Sequence, residues 1–265
     1  LADVRDRRAR TDRRELEGRG RERARHRRDL AAALAREGNA ETPVRFICEV
    51  KKASPSAGVL RAVLDPERQA ALYRDHGAAA VSVVTEPHFF LGADRFLDEA
   101  RGGAGDLPLL RKDFHVDELQ ILEVASGEAD AILLIVSILS PTQLKDYLEM
   151  AAELHLGHLV EAADRKEAET ALRAGARVVG VNNRDLTTFS VDLERTTAVL
   201  PLLRESGTIA VSESGIHDRN TVVRLATAGV HALLVGEALL TDSDPGRKLR
   251  ELRGEPPGGF LDTLS

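Results

Sequence analysis

A chain of 265 residues, 43% hydrophobic and 30% charged, has the length for one large α/β domain or two small ones and the balance of an ordinary water-soluble protein with a sizeable core. Its net charge of -6 argues against nucleic-acid binding by the chain as a whole, and a single cysteine, Cys48, excludes an internal disulfide and a cysteine-rich metal site. No run approaches the ~18 apolar residues of a membrane span and nothing resembles a signal peptide, so a cytoplasmic protein is expected. The chain opens on Leu1 rather than Met, and a trimmed start is expected.

Residues 1–36 carry 13 Arg against 7 acidic residues. Val4, Leu16, Leu30, Ala33 and Leu34 are scattered through them, which predicts one or two helices, interrupted at Gly18 and Gly20. A solvated helical extension packed on the domain is the expected reading. A basic arm drawing in an anionic ligand is the alternative. A nucleic-acid arm is disfavoured because no aromatic residue interleaves the arginines.

From Arg45 a rhythm begins. Short aliphatic or β-branched runs at Phe46–Val50, Ala79–Val84, Leu107–Leu110, Ala131–Val136, His158–Val160, Val178–Val181, Ile209–Val211 and Ala232–Val235 predict strands. Helical patterns lie between them, near 65–75, 93–101, 117–127, 141–155, 164–174, 192–204, 218–228 and 245–252. Asp65-Pro66 and Ser140-Pro141 are helix openings, and Gly77, Gly175 and Gly229 are helix endings. Gly102, Gly103 and Gly105 read as a turn before the third strand. Eight strands each followed by a helix predict a (β/α)8 TIM barrel over 45–253, with an N-terminal helical extension over 1–44 and a loose tail over 254–265. A doubly wound open sheet is the alternative.

In such a barrel the site forms at the C-terminal strand ends. Polar residues gather there. Glu49 and Lys51, two apart and so on one face, close strand 1; Arg111, Lys112 and Asp113 close strand 3; Glu161 closes strand 5; Asn182 and Arg184 close strand 6; Glu213 closes strand 7. A lone charged strand end is usually a structural ion pair, but alternate strands feed a common inner layer, so residues of strands 1, 3, 5 and 7 converge. Neighbouring Lys and Glu in a half-buried mouth suit acid–base chemistry. Ser212-Glu-Ser-Gly215 and Gly236-Glu237 follow strands 7 and 8, where backbone N–H groups of this fold commonly hold phosphate. The histidines make no metal motif (His155 and His158 are split by a glycine), and no dinucleotide fingerprint opens the domain, so neither metal nor cofactor is expected.

Glu49-Val-Lys-Lys-Ala-Ser-Pro-Ser56, Leu110-Arg-Lys-Asp-Phe114, Leu159-Val-Glu161, Gly180-Val-Asn-Asn-Arg-Asp-Leu186, Ser212-Glu-Ser-Gly215 and Val235-Gly-Glu237, in this order and at barrel spacing, resemble the motifs of indole-3-glycerol phosphate synthases. The resemblance runs from about residue 45 to 240 and is loose before it, where it implies a helical segment beside the barrel mouth. It implies decarboxylating and dehydrating ring closure of 1-(2-carboxyphenylamino)-1-deoxyribulose 5-phosphate in tryptophan biosynthesis. Carried over residue by residue, Lys112 matches the general acid and Glu161 the general base. Lys51 matches a second lysine holding the substrate carboxylate, with Glu49 orienting it. Asn182, Arg184 and Glu213 match polar contacts to substrate, and Phe90, Phe114 and Leu186 would sandwich the aromatic ring. Ser54, Ser214, Gly215, Gly236 and Glu237 would hold the phosphate, Glu237 through its backbone N–H alone.

Asp113 and Asp185 read as bracing residues, and Glu213 alternatively as a salt-bridge partner of Lys51 or Arg184. One departure, Ala162-Ala163 after Glu161, predicts looser packing behind the proposed base. The partner expected is a phosphorylated small molecule, with neither nucleic acid nor membrane, on a monomer or a dimer. The competing functions are a phosphoribosylanthranilate isomerase type of barrel, which would need a cysteine in the site, and a catalytically silent sugar-phosphate binder.

Overall fold

A computed structural model describes residues 12–36, 43–185 and 188–256. Its centre is a closed barrel of eight parallel strands: β1 (Arg45–Val50), β2 (Ala80–Val84), β3 (Leu109–Lys112), β4 (Ala131–Ile135), β5 (Gly157–Ala162), β6 (Val178–Asn182), β7 (Ile209–Glu213) and β8 (Ala232–Val235), with β8 pairing back onto β1. Several strands run past the apolar stretches that predict them. β3 reaches Lys112, β6 reaches Asn182 and β7 reaches Glu213. The ladder continues there because these polar side chains point into the barrel, where they find partners, and need no solvent.

Helices cover the outside: α3 (Pro66–Asp75), α4 (Arg95–Ala104), α5 (Glu118–Ser126), α6 (Pro141–Glu153), α7 (Arg165–Arg173), α8 (Glu194–Glu205), α9 (Arg219–Ala228), a short α10 (Glu237–Leu240) and α11 (Pro245–Arg253). The expected caps are present. Asp65 accepts the Arg68 N–H ahead of Pro66, and Ser140 with Gln143 closes a capping box ahead of Pro141. Gly229 ends α9 at φ 101°. Gly102 and Gly103, read from sequence as a turn, lie instead in the last turn of α4. A Cβ on Gly103 would stand 1.9 Å from the Glu67 carbonyl oxygen, so this glycine lets α3 and α4 pack backbone to backbone.

The N-terminal extension holds α1 (Arg13–Arg23) and α2 (Leu30–Leu34). Gly18 and Gly20 do not interrupt α1. Asp12 caps it, and buried Gly20 is where it lies against Ala125 of α5 and Leu154. Tertiary contact offsets the roughly 1 kcal/mol per glycine lost in helix propensity. Arg23 adds a two-pronged ion pair to Glu128, at 2.7 and 2.9 Å. The side chain of Arg27 donates to the carbonyls of Leu154 and Ala125, and the Arg28 N–H donates to buried Asp130 at 3.1 Å.

The extension then crosses beneath the barrel. Leu30 and Leu34, one helical turn apart, are fully buried among Ala80, Ala131, Val178 and Ala232, the first residues of β2, β4, β6 and β8. The described part of the segment therefore packs on the flank and closes the floor, rather than lying beside the mouth. The floor offers the apolar surface that this pair of leucines needs. Leu30→Ala should lower unfolding free energy by about 2–4 kcal/mol, measured by urea denaturation, because it leaves a cavity against the packed strand starts.

Among the described residues no helix is long and apolar enough to cross a membrane. The floor also carries two neutral histidines. His158 accepts the Arg177 N–H through Nε2 at 2.9 Å, and His231 accepts the Ala210 N–H through Nδ1 at 3.0 Å. A nitrogen that accepts cannot carry a proton, and burial, with the Arg177 charge adding to it, pushes His158 down to about 4. The unfolded chain takes up a proton near pH 6.5 and the folded one does not until near 4, so stability rises with pH across that window. Denaturation midpoints should therefore fall on acidification from pH 7 to 4.5. His158→Gln should flatten that slope.

Candidate active site

Alternation along the strands stacks the barrel interior in layers. Ile47, Leu110, Leu159 and Val211 form an apolar layer from β1, β3, β5 and β7. Two residues further on, the same strands present Glu49, Lys112, Glu161 and Glu213. That charged layer floors a cavity of about 420 Å³ at the C-terminal face.

The Lys112 Nζ lies 3.2 Å from Glu161 Oε2 and 3.6 Å from Glu213 Oε2. Burial works against its charge. The carboxylates of Glu161, Glu213 and Glu49 outweigh that, and the ammonium is held charged above the usual lysine range. Glu49 shows the same competition. Burial raises its pKa, but Lys51 at 2.5 Å and Lys112 win, and the net shift is downward. Glu213 goes the other way: burial, reinforced by Glu161 and Glu49, overcomes Lys112 and pushes it up to about 8. The alternative reading of Glu213 as a partner of Lys51 or Arg184 is corrected: its partner is Lys112.

Glycine makes room for these carboxylates. A Cβ on Gly180 would stand 2.0 Å from Glu213 Oε1, and one on Gly236 2.5 Å from Glu49 Oε1. Glu161 is fixed from a second side by Asn182, whose Nδ2 donates to its Oε1 at 3.0 Å. Ala162 is buried, and the Ala163 N–H donates to Glu167 at the start of α7.

Around the mouth, Phe90 and Phe114 stand 6.5 Å apart at 53°, above a wall of Val84, Leu133, Ile135 and Leu234. Leu186 lies outside the described residues. Ser54 belongs to a short hairpin, Ala53–Ser54 with Gly58–Val59, and its Oγ accepts the Ala57 N–H. Ser54, Ser214, Gly215, Gly236 and Glu237 all line the same cavity. Arg184 reaches across the mouth to Glu237 at 3.1 Å, so the Glu237 carboxylate is turned to a cation. Arg111 faces outward to Asp94 and Thr85, while Asp113 and Asp185 brace their loops through the Phe114 and Thr188 N–H groups.

Sequence reasoning passed over Glu86 and Phe189. Glu86 accepts the N–H groups of His88, Phe89 and Phe90 at 2.9, 2.6 and 3.0 Å and so shapes the loop that carries Phe90. Its signal, an acid two residues before a turn, is common at any loop. Phe189 lines the cavity from the loop after β6 at φ 59°, a conformation its side chain does not announce.

A family model described as indole-3-glycerol phosphate synthase matches residues 1–252. The chain belongs to the indole-3-glycerol phosphate synthase family. It is 48% identical to the indole-3-glycerol phosphate synthase of Carboxydothermus hydrogenoformans, with 84% of each chain covered. It is 45% identical to that of Laribacter hongkongensis, with 85% of each covered, and 49% identical to that of Dehalococcoides mccartyi over 79% of this chain and 81% of the relative. It is thus a lyase, a decarboxylase of tryptophan biosynthesis. Among solved structures, the N-acetylmannosamine-6-phosphate 2-epimerase of Clostridium perfringens superposes with a TM-score of 0.56 at 14% identity, over 73% of this chain and 86% of that one. The thiamine phosphate pyrophosphorylase of Pyrococcus furiosus does so with 0.56 at 16%, over 82% and 96%. These two share the fold alone.

In this synthase, Gly180→Ala should push Glu213 away from Lys112 and lower kcat by about 10- to 100-fold with the fold intact, read by steady-state kinetics beside a thermal melt.

Proposed function

We propose that this cavity closes the pyrrole ring of 1-(2-carboxyphenylamino)-1-deoxyribulose 5-phosphate, giving indole-3-glycerol phosphate, carbon dioxide and water. The single observation that carries the assignment of roles is Lys112 between Glu161 and Glu213 on the cavity floor. Lys112 protonates the ketone oxygen as the aromatic carbon bearing the carboxylate attacks the carbonyl carbon. The new carbon–carbon bond forms and the oxygen becomes a hydroxyl. The bond to the carboxylate breaks, its electron pair flows back into the ring and carbon dioxide leaves. The hydroxyl then takes a second proton, from Lys51, and leaves as water, while Glu161 removes a proton from the methylene carbon beside the nitrogen, which restores aromaticity.

Lys51, steered by Glu49, meets the substrate carboxylate; Asn182, Arg184 and Glu213 complete the polar wall. Phe90 and Phe114 offer the faces for an aromatic ring, a slot to which the family resemblance also assigns Leu186. Ser54, Ser214, Gly215, Gly236 and the Glu237 N–H take the phosphate. The isomerase reading has no support from Cys48. Its thiol is fully buried among residues outside the barrel wall, and burial pushes its pKa far up. A cytoplasmic location and a monomer, with a dimer as the alternative, belong to the same proposal.

The chain has no Trp and 2 Tyr, so indole emission stands clear of the protein's own. Addition of the substrate should produce that emission. Lys112→Met should cut the rate by about 10²- to 10⁴-fold while equilibrium dialysis still finds substrate bound, and Glu161→Gln should do the same. Near-normal turnover by either variant would remove that residue from its role. No emission from the wild-type protein with substrate bound would overturn the reaction.

A further inference from the structure

Asn182 ends β6 and Asn183 follows it, and their side chains leave on opposite faces. Asn182 points into the cavity. Asn183 is fully buried behind its wall, and its amide is fully used. Its Nδ2 donates to Ser212 Oγ at 3.0 Å and to the Ser214 carbonyl at 3.1 Å. Its Oδ1 accepts the Thr196 N–H at 3.3 Å and the Thr196 hydroxyl at 2.7 Å. Both protons and both lone pairs are therefore engaged, which fixes the orientation of the group.

The residue it grips is strained. Ser214 sits at φ 68°, a region that side chains other than glycine rarely adopt. In that conformation its hydroxyl donates to Asn182 Oδ1 at 3.0 Å, and Asn182 Nδ2 in turn donates to Glu161 Oε1 at 3.0 Å. The two asparagines thus hold one serine between them, one by its carbonyl and the other by its hydroxyl. Without the grip on its carbonyl, Ser214 would relax toward an ordinary backbone conformation and its hydroxyl would leave Asn182. The Asn182 Oδ1 would then keep only the Arg184 N–H, at 3.0 Å, so the amide would be held on one side alone and the second anchor of Glu161 would loosen.

We propose that Asn183 is a positioning residue for the ring-closing reaction, aligning Glu161 through Ser214 and Asn182 without touching the cavity. The proposal rests on Glu161 serving as the base. It makes the loop after β7 part of the alignment of a carboxylate on β5, so that phosphate anchorage and base geometry share one hinge, Ser214.

The test is a double-mutant cycle on kcat with the full chain and the carboxyphenylamino-deoxyribulose phosphate. Asn183→Ala should lower kcat by about 10- to 100-fold. Ser214→Ala, which removes the hydroxyl but keeps the carbonyl, should lower kcat to a similar degree. In the Ser214→Ala background, adding Asn183→Ala should change kcat less than about twofold, because the link it supports is already gone. Thermal melts of each variant show whether it is folded at the assay temperature. Should Asn183→Ala not fold, Thr196→Val removes one of the bonds that fix the amide and should show a smaller kcat loss with the same dependence on Ser214. Equal fold-losses in both backgrounds would mean that Asn183 acts on the fold in general and would overturn the proposal, as would an unchanged kcat in Ser214→Ala. Absence of turnover in the wild-type protein instead defeats the reading of the reaction, which separates the two failures.

Discussion

Lys112 shares one layer of the barrel interior with Glu49, Glu161 and Glu213, and the upper half of the molecule is arranged around that group of charges. An isolated ammonium on this mostly enclosed floor would be held at a cost. Two unit charges about 4 Å apart attract by roughly 4 kcal/mol at an effective dielectric of ~20, and Lys112 has two such partners. Attraction therefore wins over burial at the lysine. The acids have one ammonium to share here, with Lys51 serving Glu49 alone. Glu213 receives the least compensation, and its pKa rises. The pattern of glycines follows from the same layer. Gly180 and Gly236 occupy strand positions where a methyl group would overlap a carboxylate oxygen.

The two ends of the barrel face different demands. The floor is apolar and sealed, with Leu30 and Leu34 inserted from the extension and two histidines kept neutral to accept backbone N–H groups. The mouth collects charge and leaves it half-open. A rigid, closed floor lets the strand ends hold strained and charged residues in place, since the stability they cost is supplied elsewhere. Several of the described arginines of the extension are spent on this docking. Arg23, Arg27, Arg28 and Arg36 all reach acids or carbonyls of the barrel and its helices, among them Glu128, Leu154, Asp130 and Val230.

The eight strands were legible because each apolar run is short and bounded by a capped helix, as at Asp65-Pro66 and Ser140-Pro141. The convergence of Glu49, Lys112, Glu161 and Glu213 was legible too, since strand alternation and the alternate-strand layering of barrels place them together by pattern alone. Strand ends were less so, because apolarity stops at Leu110 while the ladder runs on to Lys112. The course of the extension was not legible. Leu30 and Leu34 announce a buried face but not which surface buries it. Nor did local pattern show the Arg184–Glu237 bridge, the Glu86 loop brace or the grip on Ser214, all of which join residues through loop conformations that no local sequence pattern encodes.

Two carboxylates flank one lysine, and chemistry of this kind needs them to differ. A proton donor works best when its pKa lies near the working pH, and an ammonium fully paired on both sides holds its proton too well. The barrel makes the pair unequal. Glu161 accepts from Lys112 with one oxygen and from Asn182 with the other. Glu213 meets Lys112 with Oε2, while its Oε1 lies buried over Gly180 with no hydrogen-bond donor among the described residues. A carboxylate with an undonated oxygen is the one that gains most from a proton, and burial has already moved Glu213 to about 8. When Glu213 is protonated, Lys112 loses one of its two nearest negative charges and its own proton becomes easier to give up, while Glu161 keeps both of its bonds. The inequality traces to a position on β6 with no side chain at all, since any larger residue than Gly180 would move the oxygen whose lack of a donor sets Glu213 apart.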